Sequence, residues 1–168
     1  MYKKLRMNIF YLHSDPVEAA KLQYNKHVVK MILESAQMLC TAHHVYGDPN
    51  DVPYKPAHLN HPSTIWARQS IPNYYWLYEH MIALGQEYTR RYGKEHLTIT
   101  KCATPLCFCP AYITSGEFTE PPQAMPDEYK VDGDSITAYW NYYIGDKSHI
   151  ANPKLEKIYE QKTNTTLN

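Results

Sequence analysis

The feature that most limits what this chain can fold into is the run from Asn25 to Leu39. It contains neither glycine nor proline, and its apolar residues return at helical rather than strand spacing. Val28, Val29, Ile32, Leu33, Ala36, Leu39 and Cys40 form the stripe expected of a helix laid on a core. Lys26, Lys30, Glu34 and Gln37 then stack on another face, with His27 beside Lys26. Such a row has two readings. A solvated face has this composition, and an exposed Lys30–Glu34 pair contributes only about 0.2 to 0.5 kcal/mol. A catalytic wall has it too, since cations, a carboxylate and an imidazole are groups that hold anions and move protons.

Proline and glycine divide the rest of the chain. Met1 to Arg6 is a short basic leader, and Met7 is an alternative start. Met7 to Leu12 is apolar and reads as a strand or as extended packing. Asp15-Pro16 supplies an N-cap and a first helical position for a helix to about Tyr24. The helix from Asn25 runs to His43 or His44, where Gly47-Asp48-Pro49-Asn50 stops it. A proline-rich loop follows, then a short helix over His61–Arg68 that presents His61, Trp66 and Arg68 together. Tyr74 to Tyr92 reads as a long helix ended by Gly93. Leu77, Tyr78, Met81, Leu84, Gly85 and Tyr88 form its buried stripe, and Glu79, Gln86, Arg90 and Arg91 face outward. His80 at the edge reads as a packing residue. Leu97 to Val131 is loop-dominated, which in a small domain points to function. A last helix, Ser135 to Lys147, follows Asp134 as N-cap. The expected fold is mainly α: one helical domain over residues 7–152 with long ordered proline-rich loops, and a polar tail over 153–168.

At 168 residues, one core is accommodated more easily than two. Basic and acidic residues balance at 17 each, so no overall cationic field draws the chain onto a polyanion, and any such site must be local. Sixteen tyrosines against three phenylalanines and three tryptophans favour walls that are apolar in body and polar at the tip. Cys102, Cys107 and Cys109 crowd one loop, but C-x4-C-x-C lacks the usual C-x2-C zinc knuckle, so no metal is expected. Without a signal peptide or a long apolar run, a soluble intracellular protein is expected, with no membrane partner.

The order of these pieces carries a resemblance. A Met-Asn-aliphatic start, Asp15-Pro16, the Lys-His-Val-Val-Lys-Met helix with its later Glu and Gln, Asn60-His61-Pro62 followed by Trp66, a long aromatic helix and a terminal Tyr-x2-Tyr-Tyr-x3-Lys resemble small phage-encoded proteins. These are similar to the pyrimidine-dimer DNA glycosylases of the endonuclease V type, over about 140 residues from Met7 to Lys147. The resemblance implies a helical domain that grips bent duplex DNA and opens the base stack, using an N-terminal amine as nucleophile and a helical glutamate to handle protons. This sequence departs at both positions. Residues precede Met7, Asn8 is too large for efficient methionine removal, and the glutamate position falls near Lys26-His27.

Phage proteins proposed as amino acid:DNA transferases look similar and fit those departures better. They attach an amine to a pyrophosphorylated 5-hydroxymethyl pyrimidine. That resemblance implies duplex DNA with an extruded pyrimidine, or a pyrimidine nucleotide, as partner, with a free amino acid or amine as co-substrate. It implies no cofactor and a location in the host cytoplasm. The chemistry calls for cations on the leaving pyrophosphate: Lys26, Lys30, Arg68 and Lys147. His27 or Glu34 is the candidate proton acceptor, with His61 beside them and Gln37 and Asn8 as polar contacts. Trp66 and one of Tyr139, Tyr142 or Tyr143 are candidates to stack the base. The alternatives are a glycosylase/lyase using the amine of Lys30 or Lys26, and a non-catalytic DNA-binding module.

Overall fold

In the computed structural model, which describes residues 7–48 and 51–147, six α-helices and one 3-10 turn carry the chain, and the described residues contain no strand. The leader and the C-terminal tail lie outside the described residues. In order these are α1 (Pro16–Lys21), α2 (Asn25–Val45), α3 (Pro62–Ala67), α4 (Ile71–Tyr92), α5 (Leu97–Cys102), a 3-10 turn at Asp127–Tyr129, and α6 (Ser135–Asp146).

Helix starts follow local chemistry. Asp15 caps α1 by accepting from the N–H groups of Val17 and Glu18, with Pro16 at the first position. Ser70 caps α4 and Asp134 caps α6 in the same way. Gly93, at φ 73°, ends α4 in the left-handed conformation that glycine adopts without penalty. α1 is shorter than expected, ending at Lys21. α4 starts earlier, at Ile71, because Ser70 rather than Pro72-Asn73 sets its first turn.

α4 is the central strut, packed on α1 and α2. Arg91, expected to face outward, is instead drawn in. Its guanidinium donates to the Lys21 and Gln23 carbonyls, to Asn25 Oδ1, and to the carboxylate of Glu87, itself buried. His80 is fully buried and satisfied, as a packing residue should be. Its Nδ1–H donates to the Pro16 carbonyl at 2.9 Å, and Nε2 accepts from the Gln23 amide at 3.0 Å. α1, the α1–α2 turn and α4 are thereby locked together.

Met7–Leu12 is neither strand nor helix but a buried irregular segment with a turn at its centre, where the Leu12 N–H donates to the Phe10 carbonyl. Phe10 adopts φ 56°, a conformation bulky residues avoid. Asn8 holds it there: Oδ1 accepts from the N–H groups of Ile9 and Phe10, while Nδ2 donates to the Ala124 carbonyl. The loop region after Leu97 contains α5, which was not expected. The remainder is ordered by side chains: Trp66 and Asn73 bond Thr119, Ser135 Oγ donates to the Pro121 carbonyl, and the Tyr139 hydroxyl donates to the Pro122 carbonyl.

Candidate functional site

α2 presents its faces differently from the simple stripe. Val29 and Leu33 are exposed, whereas Met31, Glu34, Ser35, Met38, Thr41 and Ala42 are buried. The physical reason is that α2 is covered on more than one flank: α4 packs on one, and α3 with its preceding loop packs on another. The polar row is therefore split. Lys26 and Lys30 stand in solvent, Gln37 is half-buried, and Glu34 is only 5% exposed.

Burial raises the Glu34 carboxyl from 4.5 to about 7, and Lys30 opposes the shift in part. Its Oε2 is buried without a hydrogen-bond partner. A carboxyl that titrates near neutrality in a dry setting is suited to proton transfer.

Two turns earlier on the same flank, His27 is buried against the N-terminal segment and α6. Its ring stacks on Phe10 with centroids 4.0 Å apart, and Nδ1 shares a 2.5 Å hydrogen bond with the Tyr143 hydroxyl. Burial, with Lys147 and Lys30 nearby, lowers its pKa from 6.5 to about 3, so the imidazole is neutral. That neutrality suits it to orient Tyr143 rather than to hold an anion. Lys147 Nζ lies 4.9 Å over the Tyr142 ring and 3.5 Å from the Asp146 carboxylate. His27, Tyr143, Tyr142 and Lys147 thus form one region, and Lys30, on the exposed side of α2, acts electrostatically on His27 and on Glu34 two turns further along.

Other expected site residues are engaged elsewhere. The polar atoms of Asn8 serve the backbone, as described. Trp66 Nε1 donates to the Thr119 carbonyl, and its ring meets Trp76 and Phe118 edge-on in the core. Arg68 donates to the Leu59 and Thr64 carbonyls. Tyr139 is fully buried between Phe10 and the Pro122–Ala124 backbone.

Beside His61, already a candidate from the sequence, α3 carries Ser63 and Thr64, which spacing alone does not single out. His61 is its N-cap, with Nδ1 accepting from the Ser63 N–H at 3.1 Å, which leaves the ring proton on Nε2. His61 Nε2, Ser63 Oγ, Thr64 Oγ1 and, from α2, Ser35 Oγ join Glu34 Oε2 as buried polar atoms without a hydrogen-bond partner. In sequence, Ser63-Thr64 is an ordinary helix first turn, and nothing marks the hydroxyls as unsatisfied.

Among the described residues, no group of three or more His, Cys, Asp or Glu side chains is placed to hold a metal ion. Nor is any described helix long and apolar enough to cross a membrane. Neither a protein-family model, nor a curated protein, nor a solved structure matches the chain.

Proposed function

We propose that this chain is an enzyme that modifies an extruded pyrimidine in phage DNA, a base-modifying transferase of the amino acid:DNA type. The observation that carries this reading is Glu34, a buried carboxyl without a hydrogen-bond partner at Oε2 and poised near neutral pH behind an exposed lysine. In the reaction, Glu34 carboxylate takes a proton from the incoming ammonium. The freed amine nitrogen bonds to the 5-methylene carbon of the activated base, and the bond from that carbon to the pyrophosphate oxygen breaks with its electron pair. Pyrophosphate leaves as the anion, and the surplus proton on the new C–N nitrogen passes to water. Lys26 and Lys30, both exposed, and Lys147 at the end of α6 supply positive charge for the leaving group. Arg68 is a poorer candidate because backbone carbonyls already hold it.

The test is to incubate the protein with duplex DNA carrying pyrophosphorylated 5-hydroxymethyluracil and a panel of amino acids, then digest to nucleosides. A mass gain equal to amine addition with intact strands is expected, and unchanged nucleosides overturn the reading. Borohydride trapping of a covalent protein–DNA adduct in the same reactions would instead favour a lysine-dependent glycosylase/lyase.

A further inference from the structure

α2 carries an exposed apolar row that the groups around Glu34 and His27 do not use. Val29 and Leu33, four residues apart, are each 38% exposed, although Val28, Ile32 and Leu39 of the same helix are buried. Lys26 and Lys30 repeat that spacing about 60° round the helix, and both are exposed. The opposite border comes from α5. His96 at its N-cap donates from Nε2–H to the Val29 carbonyl at 3.2 Å, and at its far end the Cys102 thiol meets that of Cys40. α5 therefore runs along α2 in the same direction. Thr98 and Cys102 are turned inward, which leaves Leu97 and Lys101, one turn apart, on the outer border. Leu97 is 63% exposed. Tyr54 closes the end of the strip nearer Cys40, its hydroxyl sharing a 3.1 Å hydrogen bond with Thr98 Oγ1.

Single aliphatic side chains on a surface need no explanation, but three gathered on adjoining helices between lysines do. The Tyr88 ring, with centroids 4.9 Å from His96 and 5.0 Å from Tyr92, carries the apolar surface on to the exposed Tyr92. Negative charge is largely directed elsewhere. Glu34 is buried, Glu87 is held by Arg90 and Arg91, and the exposed Glu95 adjoins Lys94. A second copy of the chain would lay the same patch on itself and bring lysines against lysines. A membrane surface calls for a broad apolar face rich in large side chains, whereas this strip spans two neighbouring helices and is aliphatic at its centre. Phosphates would answer the lysines and leave Val29, Leu33 and Leu97 without a counterpart. Carboxylates flanking an apolar row answer both.

We propose that the α2–α5 strip docks an acidic amphipathic helix of a partner protein. The apolar side chains of that helix lie on Val29, Leu33 and Leu97, and its carboxylates meet Lys26 and Lys30 along one edge and Lys101 along the other. The surface goes beyond the base-modifying reading and shares Lys26 and Lys30 with it, so a docked helix and duplex DNA exclude each other.

The experiment titrates labelled peptides of about 18 residues, long enough to hold a helix, into the full chain and follows fluorescence anisotropy. Three peptides carry leucines on one face at differing helical spacings and glutamates on both flanks. One control replaces the glutamates with lysines, and another scatters the leucines round the helix. Micromolar binding of at least one acidic amphipathic peptide is expected, with both controls at least tenfold weaker. Leu97→Ser should weaken binding about tenfold and Lys101→Glu several-fold. Both side chains are exposed, so the melting temperatures of these variants should match wild type. The strip is overturned by failure of all three acidic peptides at submillimolar concentration, by equal binding of either control, or by binding indifferent to both substitutions. Tighter attachment to phosphatidylserine vesicles through Leu97 would give the strip to a membrane, and a dimer in sedimentation that Leu97→Ser abolishes would give it to a second copy. Either result overturns the proposal. Peptide binding by a chain that fails the transfer assay removes the transferase reading and keeps the strip. Transfer without peptide binding does the reverse.

Discussion

Glu34 and His27 lie on one flank of one helix, yet burial drives them in opposite senses with pH. The Glu34 carboxyl is raised from 4.5 to about 7, chiefly by desolvation. The folded state therefore binds its proton more tightly than the unfolded chain does, and Glu34's favourable contribution to stability is full below pH 4.5 and lost as pH rises through about 7. His27 is lowered from 6.5 to about 3, again chiefly by desolvation, so its contribution is full above pH 6.5 and is lost as pH falls toward 3. Glu34→Gln removes only the first effect. Urea unfolding at pH 5 and pH 8 should show the variant gaining on wild type as pH rises, by up to about 3 kcal/mol. A difference independent of pH would mean that Glu34 titrates normally. In the transfer assay, wild type should show a rate that rises through an apparent pKa of about 7. Glu34→Gln should lose at least about a hundredfold at every pH, the usual contribution of a positioned base. His27, Lys30 and Glu34 are visible in the sequence as chemistry at helical spacing. The burial that makes Glu34 unusual is not, because a carboxylate beside a lysine looks the same on a wet face or under a second helix.

At the scale of elements, long helices with capping residues and breakers are legible, and short or doubly covered ones are less so. The extents of α2 and α4 follow from Gly47, Ser70 and Gly93. The orientation of α2 does not follow from its own stripe, since Met31, Met38 and Ala42 are buried by α3 and other neighbours that the period cannot foresee. α5 is hidden because Leu97-Thr98-Ile99-Thr100 is β-branched at three of its four residues and lacks an acidic or small N-cap; His96 fills that role, its Nδ1 accepting from the Thr98 N–H. What holds α5 in place is tertiary: a Cβ at Gly85 of α4 would lie 2.6 Å from Ile99 Cγ1 and 2.8 Å from its Cδ1. Gly85→Ala should gain about 1 kcal/mol of helix propensity and lose about 1 to 3 kcal/mol to overpacking, for a net destabilisation of about 1 kcal/mol. In an Ile99→Ala background both close atoms are gone, and the same substitution should become stabilising. Thermal unfolding of the four proteins of that double-mutant cycle reads the sign reversal directly. Parallel effects in both backgrounds would show that Ile99 yields without cost.

For the whole molecule, charge is distributed in a way that the net value conceals. The sum is zero, and part of the cationic charge is already engaged by the fold's own carboxylate and carbonyl groups. Arg91 and Arg90 neutralise Glu87, Arg91 further ties α4 to the turn before α2, and Arg68 is held by carbonyls. Lys26 and Lys30 remain exposed at the start of α2, and Lys147 at the end of α6 acts on His27 of α2. If this end of the molecule receives DNA, those lysines are its contribution among the described residues, and their share of the salt dependence should be modest. Each phosphate neutralised contributes about −0.9 to the slope of log K against log salt, so these three lysines together should contribute roughly −2 to −3, far from the value near −10 of a large operator-binding repressor. Lys26→Gln and Lys147→Gln should each lower the slope by about 0.9, and the double variant by about twice that, while Lys55→Gln, exposed on the proline-rich loop, should leave it unchanged. Fluorescence anisotropy with a labelled duplex between 25 and about 200 mM salt resolves differences of that size. A slope indifferent to Lys26 and Lys147 but sensitive to Lys55 would move the nucleic-acid face away from Glu34, and with it the chemistry assigned to α2.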